Sequence, residues 1–389
     1  MRIAILIPWF LPNRGGAEIG AWELARRLVQ KGHLVRVITP RYRLDWKAEE
    51  TIDGIEVRRY RSLAPSRWRR FSEIAHCLQA FPGVFHALND FQPDLLHLHY
   101  MLWTGYAGMA WARRAGKPVV LSLVGNDVYD PYYTPCGYLR FLNRWMIRQS
   151  QETVAASSFV RDKINELFEP SKPIPIIPYG VSLERFHPAG QAAKEAARRR
   201  LGLPLDRSIV LTVQRLHERK GVHYYLDAAA KALHELPNTL FVIVGGGPER
   251  VRLEQHAQKL GIASQVRFTG RVEDEDLPHY YEACDLFAFH TLHEGFGIVL
   301  LEAMATGRAV VTTRAGGTLD IVLDGVNGLM LAPRDATGLA GAMVTLLKDP
   351  QRRQAMEAAN PLRVEQFFNW DRIAEQYELA YKTPEEIAC

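Results

Sequence analysis

Along this chain, short unbroken apolar runs alternate with longer stretches in which apolar residues recur every three or four positions. The first kind reads as strands buried on both faces, the second as amphipathic helices. Residues 3–7 form the first such run. After the turn from Trp9 to Gly16, Ala21, Leu24, Ala25 and Leu28 fall on one helical face; Gly32 closes that helix before a strand from Leu34 to Thr39. Pro93 to His99 reads as a strand carrying two histidines, and a helix over 103–115 leads to a strand from Pro118 to Val124. A basic amphipathic helix over 139–149 and strands over 151–157 and 174–178 complete this half. The pattern restarts at Ser208 to Val213, with later strands at Thr239 to Val244, Val266 to Thr269, Cys284 to Phe289 and Ala309 to Thr312. A last helix, Trp370 to Tyr381, follows a break at Pro361. Strand–helix alternation twice over predicts an α/β fold of two doubly wound domains. Residues 186–206, with Pro188, the helical AAKEAARRR and Pro204, read as the linker.

Composition changes this picture little. A chain of 389 residues suits two cores, and its hydrophobic 47% and charged 23% are ordinary for a globular protein. No apolar run approaches the roughly 18 residues of a membrane span. The apolar start imitates a signal peptide, but its core is short and no small-residue cleavage site follows, so it reads as a buried strand. Cys77, Cys136, Cys284 and Cys389 are scattered without a Cys-x-x-Cys pair, which fits a reducing cytosol and predicts neither a disulfide framework nor a zinc site.

Charge adds more. The net +5 is uneven: residues 1–185 carry 25 Lys and Arg against 17 Asp and Glu, and the remainder 23 against 26. The first half is therefore the one to meet an anionic partner. Within it, residues 55–71 interleave six arginines with Tyr60, Trp68 and Phe71. That stretch fits either a solvated loop and helix start, or a surface that lies on an anionic membrane or grips a charged acceptor. It is too short and isolated to predict a nucleic-acid partner.

Candidate chemistry concentrates between Phe289 and Thr306. Glu294 and Glu302 stand eight apart, with Gly295-Phe296-Gly297 and then the apolar Ile298 to Leu301 between them. Strand, glycine turn and helix in that order present unpaired N–H groups and a positive dipole end to an anion. Arg215 and Lys220 lie in a loop after a strand, and a planar fork with a point charge suits a diphosphate. Gly245-Gly246-Gly247 sits at the next strand exit. Glu302 is placed to accept from ribose hydroxyls. In the first half, ligands of open α/β sheets are expected at strand carboxyl ends, which singles out His99; a Gly15-Gly16 pair stands at the first helix entrance, and the strand from Pro118 ends in Gly125-Asn126-Asp127.

These motifs, in this order, resemble the retaining glycosyltransferases of family four, with the GT-B fold of two Rossmann-like domains facing a central cleft. The resemblance covers nearly the whole chain. Glu294 and Glu302 look like the family's E-x7-E motif, Arg215-Leu216 with Lys220-Gly221 like its basic pair, and Gly15-Gly16-Ala17-Glu18 like its N-terminal glycine loop. Gly245 to Pro248, Gly270-Arg271-Val272, Gly316-Gly317 and Trp370-Asp371 also fall in order. The resemblance implies an acceptor-binding domain over 1–187, a donor-binding domain over 188–365 and a closing helix over 366–389 that returns to the first domain.

It also implies roles. Arg215, Lys220 and Glu294 would carry the reaction, the first two by neutralising a departing diphosphate. Glu294, with N–H groups of Phe296 and Gly297, would hold donor-sugar hydroxyls. Ile298 and Val299 would meet phosphate through N–H groups, and Glu302 the ribose. Gly246, Arg271 and Val272 would flank the nucleotide. Gly15, Gly16 and His99 would contact the donor, and Asn126 and Asp127 the acceptor. The donor would be a UDP or GDP sugar and the acceptor a glycan, lipid-linked or small molecule, with no metal or other cofactor. The protein would be cytoplasmic, with peripheral membrane contact through its basic half. One departure from the family is Val124, where members often carry His before Gly-x-Asp. That departure keeps an inactive nucleotide-sugar-binding protein open as an alternative, and a GT-B nucleotide-sugar epimerase is a further one.

Overall fold

The computed structural model describes residues 1–13, 15–62, 69–129 and 138–382, without the side chains of 69–75, 126 and 138. It contains two compact units, one of Met1–Tyr179 with Trp370–Cys389 and one of Gly180–Asn369.

The first unit is built on β1 (Arg2–Leu6), β2 (Leu34–Arg41), β3 (Glu49–Ile52), β4 (Ile55–Arg61), β5 (Leu95–His99), β6 (Val119–Leu123) and β7 (Glu152–Ala155). Their order is β3-β4-β2-β1-β5-β6-β7, parallel except for β3 against β4. Its helices are α1 (Gly16–Gln30), α2 (Arg69–Phe91), α3 (Trp103–Ala115), α4 (Asn126–Tyr129), α5 (Tyr138–Gln149) and α6 (Ser158–Phe168). β5 and β6 are buried at every position, as the unbroken apolar runs require of central parallel strands. The α1 face expected from spacing, Ala21, Leu24, Ala25 and Leu28, is buried.

The second unit holds α7 (Gln191–Arg200), β8 (Ser208–Val213), α8 (Val222–Leu233), β9 (Thr239–Val244), α9 (Arg250–Lys259), β10 (Val266–Gly270), α10 (Leu277–Ala283) and β11 (Leu286–Phe289). It continues with α11 (Ile298–Ala305), β12 (Val310–Thr313), α12 (Thr318–Ile321), β13 (Gly328–Leu331), α13 (Ala336–Lys348) and α14 (Pro350–Phe367). Its six strands are all parallel, in the order β10-β9-β8-β11-β12-β13. The last helix, α15 (Trp370–Tyr381), belongs to the first unit. There the Tyr381 hydroxyl meets His97 Nδ1 at 2.8 Å, while His97 Nε2 meets Ser122 Oγ at 2.7 Å.

Four readings of local structure are corrected. The start of the basic stretch 55–71 is strand β4, paired along its length with β2, and not a solvated loop. Arg59 is buried there, donating to the carbonyls of Lys47 and Leu11 and pairing with Glu50, because a guanidinium taken out of water must find partners for its donors. Tyr60 is also buried, its hydroxyl 2.8 Å from Thr104 Oγ1. The rest of that stretch, Leu63 to Trp68 with the side chain of Phe71, lies outside the described residues. Residues 174–178 form only an isolated bridge, Ala155 to Ile176, since Pro175 and Pro178, with Pro173 just before them, remove ladder donors.

The expected linker is no linker. Its α7 is fastened into the second unit by Lys194 and Arg198, both paired with Asp285. Pro361 does not break the chain but sits inside α14. Buried Met356, Asn360 and Val364 hold that helix on both sides of the proline, whose missing N–H costs one hydrogen bond. The hairpin β3–β4, the long α2, and β13 with α13 carried no signal that was read from the sequence.

Candidate active site

In the second unit the strand exits gather most of the predicted residues. β8 ends at Val213 and its exit loop carries Arg215 and Lys220; β9 ends at Val244, before Gly245. The two loops are stacked backbone on backbone: Leu216 N donates to the Gly246 carbonyl at 3.0 Å, and Glu249 N to the Leu216 carbonyl at 3.2 Å. Only glycine permits this. A Cβ on Gly245, at φ +135°, would lie 1.9 Å from the Gln214 carbonyl oxygen, and one on Gly247 2.2 Å from that of Leu216. Gly246 differs, because open space surrounds its Cα up to Arg271 N, 3.9 Å from the Cβ position. Arg271 is exposed and Val272 half-buried, directly after the β10 exit.

The β11 exit completes the group. Lys220 Nζ donates to Glu294 Oε2, with side-chain exposures of only 14% and 15%. Lys220 also lies over the Phe289 ring at 5.7 Å. Leu292 N donates to the Arg219 carbonyl, so the two loops are tied by backbone as well. Arg215 is exposed and its guanidinium has no ion-pair partner among the described residues. Phe296 is buried, and Gly297, at φ +109°, caps α11. No side chain caps that end, so the N–H groups of Ile298 and Val299 are left for an external acceptor.

Glu302, one turn into α11, points elsewhere: its Oε2 accepts from the Tyr281 hydroxyl at 2.6 Å. Burial raises its pKa, against the pull of that hydrogen bond and of the Arg185 charge. Tyr281 and Arg185 were not singled out from the sequence. The signal for Tyr281 was its place one helical turn before Asp285 and the strand, but a tyrosine there reads as core.

In the first unit Gly15 caps α1 in ordinary extended backbone, φ −128°, and Gly16 opens it. His99 ends β5, wholly enclosed; neither ring nitrogen has a hydrogen-bond partner among the described residues, and burial pushes its pKa down to about 3. Neutral imidazole is therefore the form present. Asn126 opens α4, and its side chain lies outside the described residues. Asp127 is buried, its Oδ1 accepting from the N–H groups of Gly125 at 3.0 Å and Val124 at 3.3 Å. Its Oδ2 has no partner among the described residues. Burial drives its pKa up to about 6, against the lowering effect of the backbone donors.

A raised carboxyl pKa has a definite sign for stability. The folded state holds the Asp127 proton more tightly than the unfolded chain, so stability falls as pH rises from about 4 to about 6. The loss is on the order of 3 kcal/mol. Asp127→Asn keeps the Oδ1 acceptor and removes the charge. We expect it to stabilise the first unit by a similar amount at pH 7 and to flatten the fall. Hydrogen exchange of β5 and β6 between about pH 4 and 7 reads this directly; a variant no more protected at pH 7 would rule it out.

Comparison with known proteins agrees with this geometry. A family model described as Glycosyl transferases group 1 matches residues 193–363, and one described as Glycosyltransferase Family 4 matches residues 14–185. The chain is 30% identical to a D-inositol 3-phosphate glycosyltransferase of Corynebacterium urealyticum, over 99% of this chain and 97% of that protein. It is 34% identical to a GDP-mannose-dependent alpha-(1-6)-phosphatidylinositol monomannoside mannosyltransferase of Mycolicibacterium smegmatis, over 90% of each. Among solved structures, sucrose-phosphate synthase from Thermosynechococcus elongatus superposes with a TM-score of 0.85 at 23% identity, covering 98% of each chain. Two parallel-sheet Rossmann-like units, the matched family models and these relatives together show that the chain belongs to the group 1 glycosyltransferases of GT-B fold.

Proposed function

We propose that this glycosyltransferase moves a sugar from a UDP or GDP sugar to a hydroxyl of an inositol-containing, glycan or lipid-linked acceptor, with retention at the anomeric carbon and without a metal. The observation that carries the reading is the meeting of Lys220 and Glu294 beside the open N-terminus of α11, with the Arg215 guanidinium, without an ion-pair partner among the described residues, in the same loop as Lys220. Two cations and a helix N-terminus suit a diphosphate, and the adjoining carboxylate suits sugar hydroxyls.

In this reading Arg215, Lys220 and the N–H groups of Ile298 and Val299 neutralise the diphosphate as the bond from the anomeric carbon to its oxygen breaks. The acceptor oxygen bonds to that carbon on the same face. The departing phosphate oxygen takes the acceptor's proton, so atoms and charge balance without a further base. Glu294 holds sugar hydroxyls with the N–H of Gly297, and Glu302 holds the ribose. Gly246 leaves room for the nucleotide between Arg271 and Val272. Gly15, Gly16 and His99 serve the donor from the first unit, and Asn126 and Asp127 the acceptor. Rate enhancement is then electrostatic stabilisation plus orientation.

The relatives' names favour an inositol-containing acceptor and include a GDP-sugar donor. Contact with an anionic membrane at the cytoplasmic face is supported by α5, where Phe141 is 72% exposed beside exposed Arg140 and Arg148. Among the described residues no helix is long and apolar enough to cross a membrane.

The test is a panel of UDP and GDP sugars offered to wild type and Glu294→Ala in chelator, with inositol phosphate or phosphatidylinositol vesicles as acceptors. One donor should turn over with wild type, with the product's anomeric configuration unchanged by NMR, and fail with the variant. Nucleotide binding without any transfer would favour an inactive binding protein, and an acceptor-independent sugar product an epimerase.

A further inference from the structure

Tyr281 has no part in the reaction as described, yet it is the direct partner of Glu302. It lies on α10 with no exposed surface, and its hydroxyl donates to Glu302 Oε2 at 2.6 Å. Packing fixes its ring: Phe186 stands edge-on at 5.7 Å and 82°, and Phe287 at 5.5 Å. A ring held this way leaves its hydroxyl essentially one position. Glu302, by contrast, is a flexible side chain on α11, and its Oε1 has no hydrogen bond among the described residues. One carboxylate oxygen is thus anchored and the other is left to accept.

We propose that Tyr281 is a positioning residue that holds Glu302 so that its second oxygen meets a ribose hydroxyl of a nucleoside diphosphate. The inference rests on the reading of Glu302 as the ribose acceptor and adds what selects ribose there. A ribose hydroxyl donates well only to ionised Glu302, and burial works against ionisation. The Tyr281 hydroxyl from α10 and the Arg185 charge, from the segment before α7, work for it. α12 and α14, which also flank α11, bring no further titratable group to bear on this carboxylate among the described residues. Arg185 is itself held by the Asp274 carbonyl at 2.9 Å. Losing the hydroxyl therefore frees the Glu302 rotamer and lets it take a proton at higher pH.

Tyr281→Phe keeps the packed ring and deletes only that oxygen. The experiment is calorimetric titration with UDP and GDP, and with the 2′-deoxy and 3′-deoxy forms of whichever binds wild type, from about pH 5 to 8. We expect the variant to bind the ribonucleotide about tenfold more weakly, the loss of one hydrogen bond to a charged group, while the matching deoxynucleotide changes little. The acid limb of ribonucleotide affinity should also move to higher pH. Glu302→Gln is the control and should abolish the preference for ribose. If it does, but Tyr281→Phe keeps the wild-type preference and acid limb, or weakens both nucleotides equally, Tyr281 only packs and the inference is overturned. If Glu302→Gln itself leaves the preference intact, the ribose reading of Glu302 is wrong, and the inference falls with it.

Discussion

Replacing Lys220 with alanine should lower kcat/KM by about a thousandfold, the loss expected when one preorganised group is removed from a developing negative charge. Two effects add. The diphosphate loses its point charge, and Glu294 loses its counterion. With a side chain only 15% exposed, Glu294 would then stand partly desolvated and uncompensated beside an anionic ligand. The geometry predicts strong coupling between the two positions. The ammonium is committed to Glu294, so binding a donor must share or exchange that pair. A double-mutant cycle with Lys220→Ala, Glu294→Ala and the double variant should thus be far from additive, the double variant being little worse than the poorer single. Steady-state rates with the donor found in the panel, at low and high salt, measure it. Additive losses would mean that Lys220 and Glu294 act on separate parts of the substrate without passing through one another. A Lys220→Ala variant with near-normal kcat/KM would remove Lys220 from the reaction.

The largest stability loss is expected far from the chemistry, at Asp285. Its carboxylate takes Lys194 and Arg198 from α7 and the N–H of Ile209 from β8, at the amino end of β11. Arg198 is 6% exposed at its side chain and spends its other donors on the carbonyls of Ala283, Leu205 and Arg207. Asp285→Ala strands that guanidinium in a low-dielectric corner, and breaking a buried pair in this way costs about 3–5 kcal/mol. For a unit of this size that is a fall in Tm on the order of 10 °C. Burial alone would raise the Asp285 pKa, but Lys194 and Arg198 overcome it and hold the carboxyl below its ordinary range. A depressed folded pKa stabilises above the unfolded value and is lost as pH falls through the folded one, so the wild type should lose this contribution below about pH 4. Thermal unfolding of both proteins at about pH 7 and pH 3 tests the account. The gap between them should narrow in acid, and a gap that is small at pH 7 or grows in acid would contradict it.

Where the sequence was legible, local physics had no competitor. The runs at Ser208 to Val213 and Thr239 to Val244 became β8 and β9 at those residues, because four or five apolar positions in six, set between turn signals, admit little but a buried parallel strand. The helix read over 103–115 is α3 for the same reason, with Gly116 in the left-handed region at φ +64° as its stop. Arginine content misled at 55–61, since Arg59 is polar by composition yet buried through an ion pair with Glu50 on the neighbouring strand and the carbonyl of Leu11, 48 residues away. Pro361 misled because packing along α14 outweighs one lost hydrogen bond.

The chain's periodicity by itself determined two parallel-sheet α/β units and put Glu294, Arg215 and Lys220 at strand exits, since hydrophobic spacing fixes element type and glycine turns fix where elements stop. Tertiary structure alone decided which groups meet. Lys220 and Glu294 are separated by 74 residues in sequence and become partners because β8 and β11 are neighbours in the sheet. Tyr281 was indistinguishable from core until α10 set its hydroxyl on Glu302. His97 and His99 share one strand, yet His97 is hydrogen-bonded at both ring nitrogens and His99 has no hydrogen-bond partner among the described residues, because α15 supplies a hydroxyl to the first alone. Element type is a local free-energy choice made within a dozen residues. Partnership, burial and the pKa shifts that follow are set by distance through space, which a linear pattern does not encode.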